Sequence, residues 1–280
     1  MKFLLYFLTF IQLINFNLNA VFSDAIYEEN LSSEKSFIEG IEQTPLILDN
    51  CDLHHNSLQG SVYELLNNAK DSILIISFTF SDPEVLKIIN QKASEGLDIQ
   101  LVIDRDHLDF SKKLHPAIKI GTRLHGEGHL HHKILVVDHE YIWLGSANFT
   151  QNAFDHSKNL AIAFFSPKTG ALLFQEALDI ASANPRTNSE PFSSTFQDQL
   201  LELYLLPHND PNSSSSVEAT MNEIGKEKLI SLIENAKHHL KISVDVWTYK
   251  DASRAVIEAM NRGVQVDVAV GSLTEEAVKM

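Results

Sequence analysis

The sequence predicts an α/β protein: a mixed sheet flanked by helices, in one complete domain followed by a partial second repeat of it. Three observations carry this. Residues 72–104 run strand, helix, strand, the pattern of a βαβ unit with parallel strands. Residues 133–138 and 141–146 are two short apolar strands joined by His139-Glu140, which reads as an antiparallel hairpin. The first pattern then recurs near the C-terminus, as a duplicated domain would repeat it.

The elements follow in order. Residues 1–20 (MKFLLYFLTFIQLINFNLNA) have a positive start at Lys2, an apolar centre and a small residue at Ala20. This is the shape of a secretory signal peptide cleaved after Ala20, so export to the periplasm or beyond is expected. The alternative is an uncleaved N-terminal membrane anchor. Residues 21–44 are polar and mixed, a flexible N-terminus of the mature chain. The complete domain is expected over 45–182. Its first helix covers Leu58 to Lys70, with Val62, Leu65, Leu66 and Ala69 on one face. Ser72 to Phe80 (SILIISFTF) is a strand. Ser81-Asp82-Pro83-Glu84 starts a helix with Ser81 as N-cap, and Gly96 stops it. Asp98 to Asp104 is the next strand.

Residues 183–199 are rich in turn formers and form a linker, and 208–216 is the most loop-like segment of the chain. The partial repeat is expected over 200–280. Asn68-Ala69-Lys70 recurs as Asn235-Ala236-Lys237, and Gly96 recurs as Gly263, both 167 residues later. By that offset the second copy stops before it reaches the equivalent of residue 131.

Composition narrows the function. There are 22 basic residues against 37 acidic ones, a net charge of −15. Duplex binding is driven by Lys and Arg neutralising phosphates, so a nucleic-acid partner is disfavoured. The single cysteine, Cys51, excludes an intrachain disulfide framework and any multi-cysteine metal site.

The chemistry lies in residues 128–150, GHLHHKILVVDHEYIWLGSANFT. His131 and Lys133 are two apart, so on an extended chain they share a side, as do Ser146 and Asn148. A hairpin can bring these pairs to one end of a sheet. An imidazole, an ammonium, a hydroxyl and a carboxamide would then converge on one spot. That set suits a phosphate: Lys133 and Asn148 can donate to its oxygens while the imidazole attacks phosphorus. His125, His129, His131 and His132 also form a cluster. It is set aside as a zinc site, because zinc ligands usually come from more than one element. Trp143 and Trp247 are expected to pack, and Glu127 and Asp155 are expected to be solvated.

His131-x-Lys133-x4-Asp138-x6-Gly145-Ser146-x-Asn148 resembles, position for position, the motif of the phospholipase D superfamily. The resemblance implies a phospholipase D-like mixed sheet flanked by helices. It implies a two-step phosphoryl transfer with no metal and no cofactor, on a phosphodiester, with lipid favoured and nucleic acid less so. By resemblance, His131 is the nucleophile or its general-acid partner. Lys133, Ser146 and Asn148 hold the phosphate, Asp138 orients and charge-balances the site, and Gly145 permits close backbone approach. Contact with a membrane surface is implied by a lipid substrate. The family mechanism needs two motifs at one phosphate, so a second is expected from a homodimer mate or a separately encoded chain. The chain looks like a two-motif member cut short. It also departs from the family pattern at Asn159-Leu160-Ala161, where relatives often carry an acid that supports a histidine.

Overall fold

In the computed structural model, the described residues are 3–7, 12–16, 37–43, 45–49, 57–123, 129–157, 159–182, 192–196, 199–205, 223–247 and 249–273. In chain order the elements are strands β1 (Phe3–Phe7) and β2 (Gln12–Phe16), helix α1 (Phe37–Gln43), β3 (Leu46–Asp49), α2 (Leu58–Asn68), β4 (Ser72–Ser77), α3 (Pro83–Ser94) and β5 (Asp98–Ile103). Two 3-10 turns (Arg105–His107 and Asp109–Lys113) lead to β6 (Lys119–Thr122), β7 (Lys133–Val137), β8 (Tyr141–Gly145), α4 (Gln151–Asp155), β9 (Leu160–Phe165) and α5 (Pro167–Ile180). The rest are β10 (Phe192–Phe196), β11 (Gln199–Leu205), α6 (Glu223–Glu234), β12 (His239–Trp247), α7 (Lys250–Asn261) and β13 (Gln265–Leu273). Two compact units result, residues 27–185 and residues 1–26 with 186–280.

The unit of residues 27–185 is built on a seven-stranded sheet in the order β3-β9-β8-β7-β4-β5-β6. The β4–β5 and β5–β6 ladders are parallel; β4–β7, β7–β8, β8–β9 and β3–β9 are antiparallel. The sheet is therefore mixed, as the sequence predicts. Every residue of β4 and of β7 is buried, which explains their unbroken apolar runs. Ile73, Ile75, Leu135, Val137 and Trp143 face a core shared with Leu65 and Leu66 of α2 and Val85 and Ile89 of α3. Side chains of the opposite parity face the other way, where α5 packs on β6, β7 and β8. There the backbone comes so close that a Cβ on Gly170 would lie 1.8 Å from the His139 carbonyl oxygen.

Local chemistry differs from the sequence reading at three points. The N-cap of α3 is Asp82, not Ser81. Its carboxylate accepts from the N–H groups of Glu84 and Val85, and Pro83 takes the first helical position. The N–H groups of Ser81 and Asp82 both donate to the Phe149 carbonyl. β4 ends at Ser77, because Phe78 and Thr79 leave the ladder before Phe80 makes a single bridge to Phe149. The β7–β8 turn holds three residues rather than two: Asp138 joins it, and both Asp138 and His139 have positive φ (53° and 60°).

The other unit contains a parallel pair, β12 and β13, joined by α7. Its core includes Leu229, Ile233, Ile242, Val244, Val256 and Ala259. Gly263 closes α7 at φ 85°, as Gly96 closes α3 at φ 97°. Trp247 donates to the Ser253 hydroxyl at 2.6 Å. In the same unit, β1, β2, β11 and β10 form an antiparallel four-stranded sheet. Thus the described parts of the expected signal peptide, 3–7 and 12–16, are paired strands. Ala20, all of 21–36, 183–191 and the loop-like 208–216 lie outside the described residues. Among the described residues, no helix is long and apolar enough to cross a membrane.

Candidate active site

Strand direction decides which residues meet. β4 and β5 are parallel, so their carboxyl ends share one edge of the sheet. β7 runs against β4, which brings its first residue, Lys133, opposite Ser77 at that edge. β8 runs against β7, so its last residues and Ser146 to Asn148 beyond it return there. His131, Lys133, Ser146 and Asn148 therefore gather where parallel strands present their carboxyl ends, the usual ligand side of an α/β sheet. Phe78, following β4, and Asp104, following β5, arrive at the same edge.

Lys133 is 4% exposed. Its Nζ donates to the His131 carbonyl at 2.6 Å and lies 5.8 Å from the centre of the Phe78 ring. Burial pushes the ammonium down to about 7. The His131 ring packs on Phe78 with centroids 5.2 Å apart. Burial, then the neighbouring Lys133 and His129, push His131 down to about 4, against the opposing pull of Asp104. At neutral pH His131 is thus an uncharged imidazole beside an ammonium whose proton burial has loosened, and an arriving anion would favour charge on both. The uncharged imidazole is the protonation state a nucleophile requires.

Ser146 and Asn148 differ in what is left to bind. The Ser146 hydroxyl donates to Asn159 Oδ1 at 2.8 Å and accepts from the Leu160 N–H at 3.0 Å. Asn159 in turn donates to the Ala153 carbonyl at 2.9 Å. Ser146 therefore fastens the end of β8 to the start of β9. Asn159, which the sequence places two residues before Ala161, completes that fastening. Asn148 Oδ1 is buried without a hydrogen-bond partner among the described residues; that oxygen can only accept, so a phosphate would be met by Nδ2.

Asp138 is not brought to this edge. It follows Val137 at the far end of β7, and its carboxylate accepts from the backbone N–H groups of Lys70 (3.0 Å), Asp71 (2.8 Å) and Ser72 (2.9 Å). The expected orienting role at the phosphate becomes a clamp between the start of β4 and the β7–β8 turn. Asp138→Ala is expected to cost about 2–4 kcal/mol, through lost charge-assisted bonds and a positive φ unsuited to Ala. Asp138→Asn keeps one acceptor and tolerates that φ, and is expected to cost less than half as much. Urea midpoints check this. A chemical role would instead give Asp138→Asn unchanged stability and lost turnover. Gly145 is corrected too: a Cβ there would lie 2.6 Å from the Trp143 ring and 2.8 Å from the Ala161 Cβ. Trp143 and Ala161, not a phosphate, require glycine.

Sequence reasoning missed Phe78 and Asp104. Phe78 contacts the rings of His107 (4.3 Å), His129 (5.1 Å) and His131 (5.2 Å). Buried Asp104 accepts the Leu130 N–H at 2.6 Å, which fixes the segment leading to His131. His132 is buried. His125 and Glu127 lie outside the described residues.

Residues 62–178 match the family model described as the PLD-like domain of cardiolipin synthase. That match and the His131–Asn148 motif both support the phospholipase D superfamily for this stretch. The chain is 29% identical over 114 residues to a mitochondrial cardiolipin hydrolase of Xenopus tropicalis, covering 39% of this chain and 54% of that protein. It is 28% identical over 130 residues to one of Danio rerio, covering 45% and 57%. The chain thus spans about half the length of these curated relatives. Among solved structures, polyphosphate kinase from Porphyromonas gingivalis is similar in fold, with a TM-score of 0.57 at 13% identity, over 91% of this chain and 42% of that one.

Proposed function

We propose that the protein is an exported phosphodiesterase that cleaves a phospholipid through a phosphohistidine intermediate. The observation that supports it is the pairing of neutral, half-buried His131 with buried Lys133 at the carboxyl edge of the sheet. In the first step a ring nitrogen of His131 forms a bond to phosphorus, the bond from phosphorus to the leaving alcohol's oxygen breaks, and a second histidine, which takes up a proton beside the bound phosphate's negative charge, gives that oxygen its proton. In the second step the same histidine takes a proton from water, whose oxygen displaces the His131 nitrogen. Lys133 and Asn148 hold the non-bridging oxygens, where charge builds. The second histidine comes from another copy of the chain or a separately encoded one, and a symmetric dimer would place the phosphate on its two-fold axis.

Lipid is favoured over nucleic acid by the net charge of −15, which repels a polyanion, and by the likeness to cardiolipin hydrolases. Export rests on the apolar N-terminal run. Processing after Ala20 would remove β1 and β2 and expose the edge of β11 that β2 now covers. Residues 200–280 are read as a partial second copy, supported by the shared order β4-α3-β5 and β12-α7-β13.

Full-length protein incubated with cardiolipin-containing vesicles, and separately with single-stranded oligonucleotides, tests the reading. Release of the lipid headgroup alcohol, faster than any oligonucleotide cleavage, is expected. The reverse order would make the protein a nuclease. Absence of both, with monomers by light scattering, would make it a silent relative that keeps the fold.

A further inference from the structure

We propose that Asp104, Asp106 and His129 form a binding site for a divalent transition metal of the zinc type, next to the His131–Lys133 pair and outside the phosphoryl-transfer chemistry. One ligand atom from each residue lies within 4.8 Å of the other two. His129 Nδ1 is 3.6 Å from Asp104 Oδ2 and 4.0 Å from Asp106 Oδ2. These separations are too long for direct hydrogen bonds. They are close to what one shared ion would span: zinc–ligand distances of about 2.1 Å place tetrahedral ligand atoms about 3.4 Å apart.

The ligands come from two elements. Asp104 and Asp106 follow β5, and His129 precedes β7, with 22 residues between the latter two. This meets the requirement that the histidine cluster alone fails. Asp104 is 2% exposed. Its carboxylate accepts N–H groups from Leu130 (2.6 Å) and Asp106 (3.1 Å), and its oxygens keep further lone pairs. A carboxylate buried this deeply calls for positive charge nearby. Arg123 supplies part of it: burial pushes its guanidinium down, and the Asp104 carboxylate pulls against that. An ion would supply the rest.

The donor set selects the metal class. A nitrogen ligand disfavours calcium and magnesium, which take oxygen, and one imidazole with two carboxylates suits zinc or cobalt with water in the fourth position. The His129 ring stands edge-on to Phe78, which also packs on His131. A bound ion would therefore tie the end of β5 to the segment that carries the nucleophile and hold that segment in register.

The test uses full-length protein stripped with a chelator, dialysed, and titrated with zinc chloride in a calorimeter, with cobalt absorption as a second probe of the same site. One ion per chain is expected. Asp106→Asn and His129→Ala should each weaken binding about 100-fold or more, beyond the ~10–100-fold that outer-shell changes cause. His131→Ala should leave binding essentially unchanged. The side chains of Asp106 and His129 are 62% and 54% exposed, so neither change touches the core, and thermal unfolding of each variant verifies that it is folded. Absence of zinc binding by the unmodified protein would overturn the proposal. So would binding that survives both substitutions, or binding lost with His131→Ala.

Discussion

His131→Ala is expected to remove nearly all turnover, by a factor on the order of 10⁴–10⁶, because it deletes the atom that attacks phosphorus or the group that protonates the leaving alcohol. Among the described residues, the other histidines near it are placed differently, with His107 and His129 packed on Phe78. His132 is its neighbour in sequence but is buried. His129 Nδ1 is directed at the carboxylates of Asp104 (3.6 Å) and Asp106 (4.0 Å). Substrate affinity should change far less, since Lys133 and Asn148 remain to hold the phosphate. The measurement is single-turnover kinetics on the phosphodiester that the unmodified protein cleaves best, with mass spectrometry for a phosphorylated peptide containing residue 131. Turnover within tenfold of the unmodified protein would sink the mechanism.

The second large effect is electrostatic. Lys133→Ala should lower kcat by about 10²–10³-fold, the usual cost of losing one donor aimed at developing charge. Lys133→Arg should rescue poorly, because a buried slot shaped for an ammonium does not fit a planar guanidinium. The pH profile follows from the same two groups. kcat/KM of the free enzyme should fall below about pH 4, as His131 gains a proton and loses its nucleophilic lone pair, and above about pH 7, as Lys133 loses its charge. An alkaline limb near the 10.5 of an ordinary lysine would contradict the burial argument. Stability gives an independent reading. Between about 7 and 10.5 the unfolded chain holds a proton on Lys133 that the folded chain does not, so folding stability should rise with pH across that window. Lys133→Met should flatten the rise, which urea midpoints at several pH values would show.

The mixed sheet was readable because its central strands leave a local trace: Ser72 to Ser77 is buried throughout, Leu101 to Ile103 likewise, and Pro83 and Gly96 punctuate the helix between them. Edge placement was only half readable. The spacing of two residues from His131 to Lys133 and from Ser146 to Asn148 correctly brings both pairs to one end of the sheet. The same motif misleads about Asp138, since closeness in sequence along a strand is distance in space. Phe78 was hidden inside an apolar run, where nothing distinguishes the residue that leaves the ladder from those that stay. Asp104 looked like an ordinary strand end, because the N–H it accepts comes from Leu130, 26 residues away. The N-cap of α3 was misplaced by one residue because Ser81 and Asp82 can both cap, and only the carboxylate of Asp82 accepting from the Glu84 and Val85 N–H groups separates them.

The clamp at Asp138 turns the motif's spacing into a ruler. Between Lys133 and Asp138 lies the whole of β7, five steps of about 3.3 Å, or roughly 17 Å of extended chain. One terminus of that rod carries the charge that meets the ligand; the other is bolted to the start of the neighbouring strand through three backbone N–H groups. Four intervening residues are thus a length, not a set of side chains, and their identities can drift among apolar types while their number cannot. Adding or removing one would swap every side chain of β7 between the two faces of the sheet. With the bolt held fixed, Lys133 would then be carried out of its slot by one pleat.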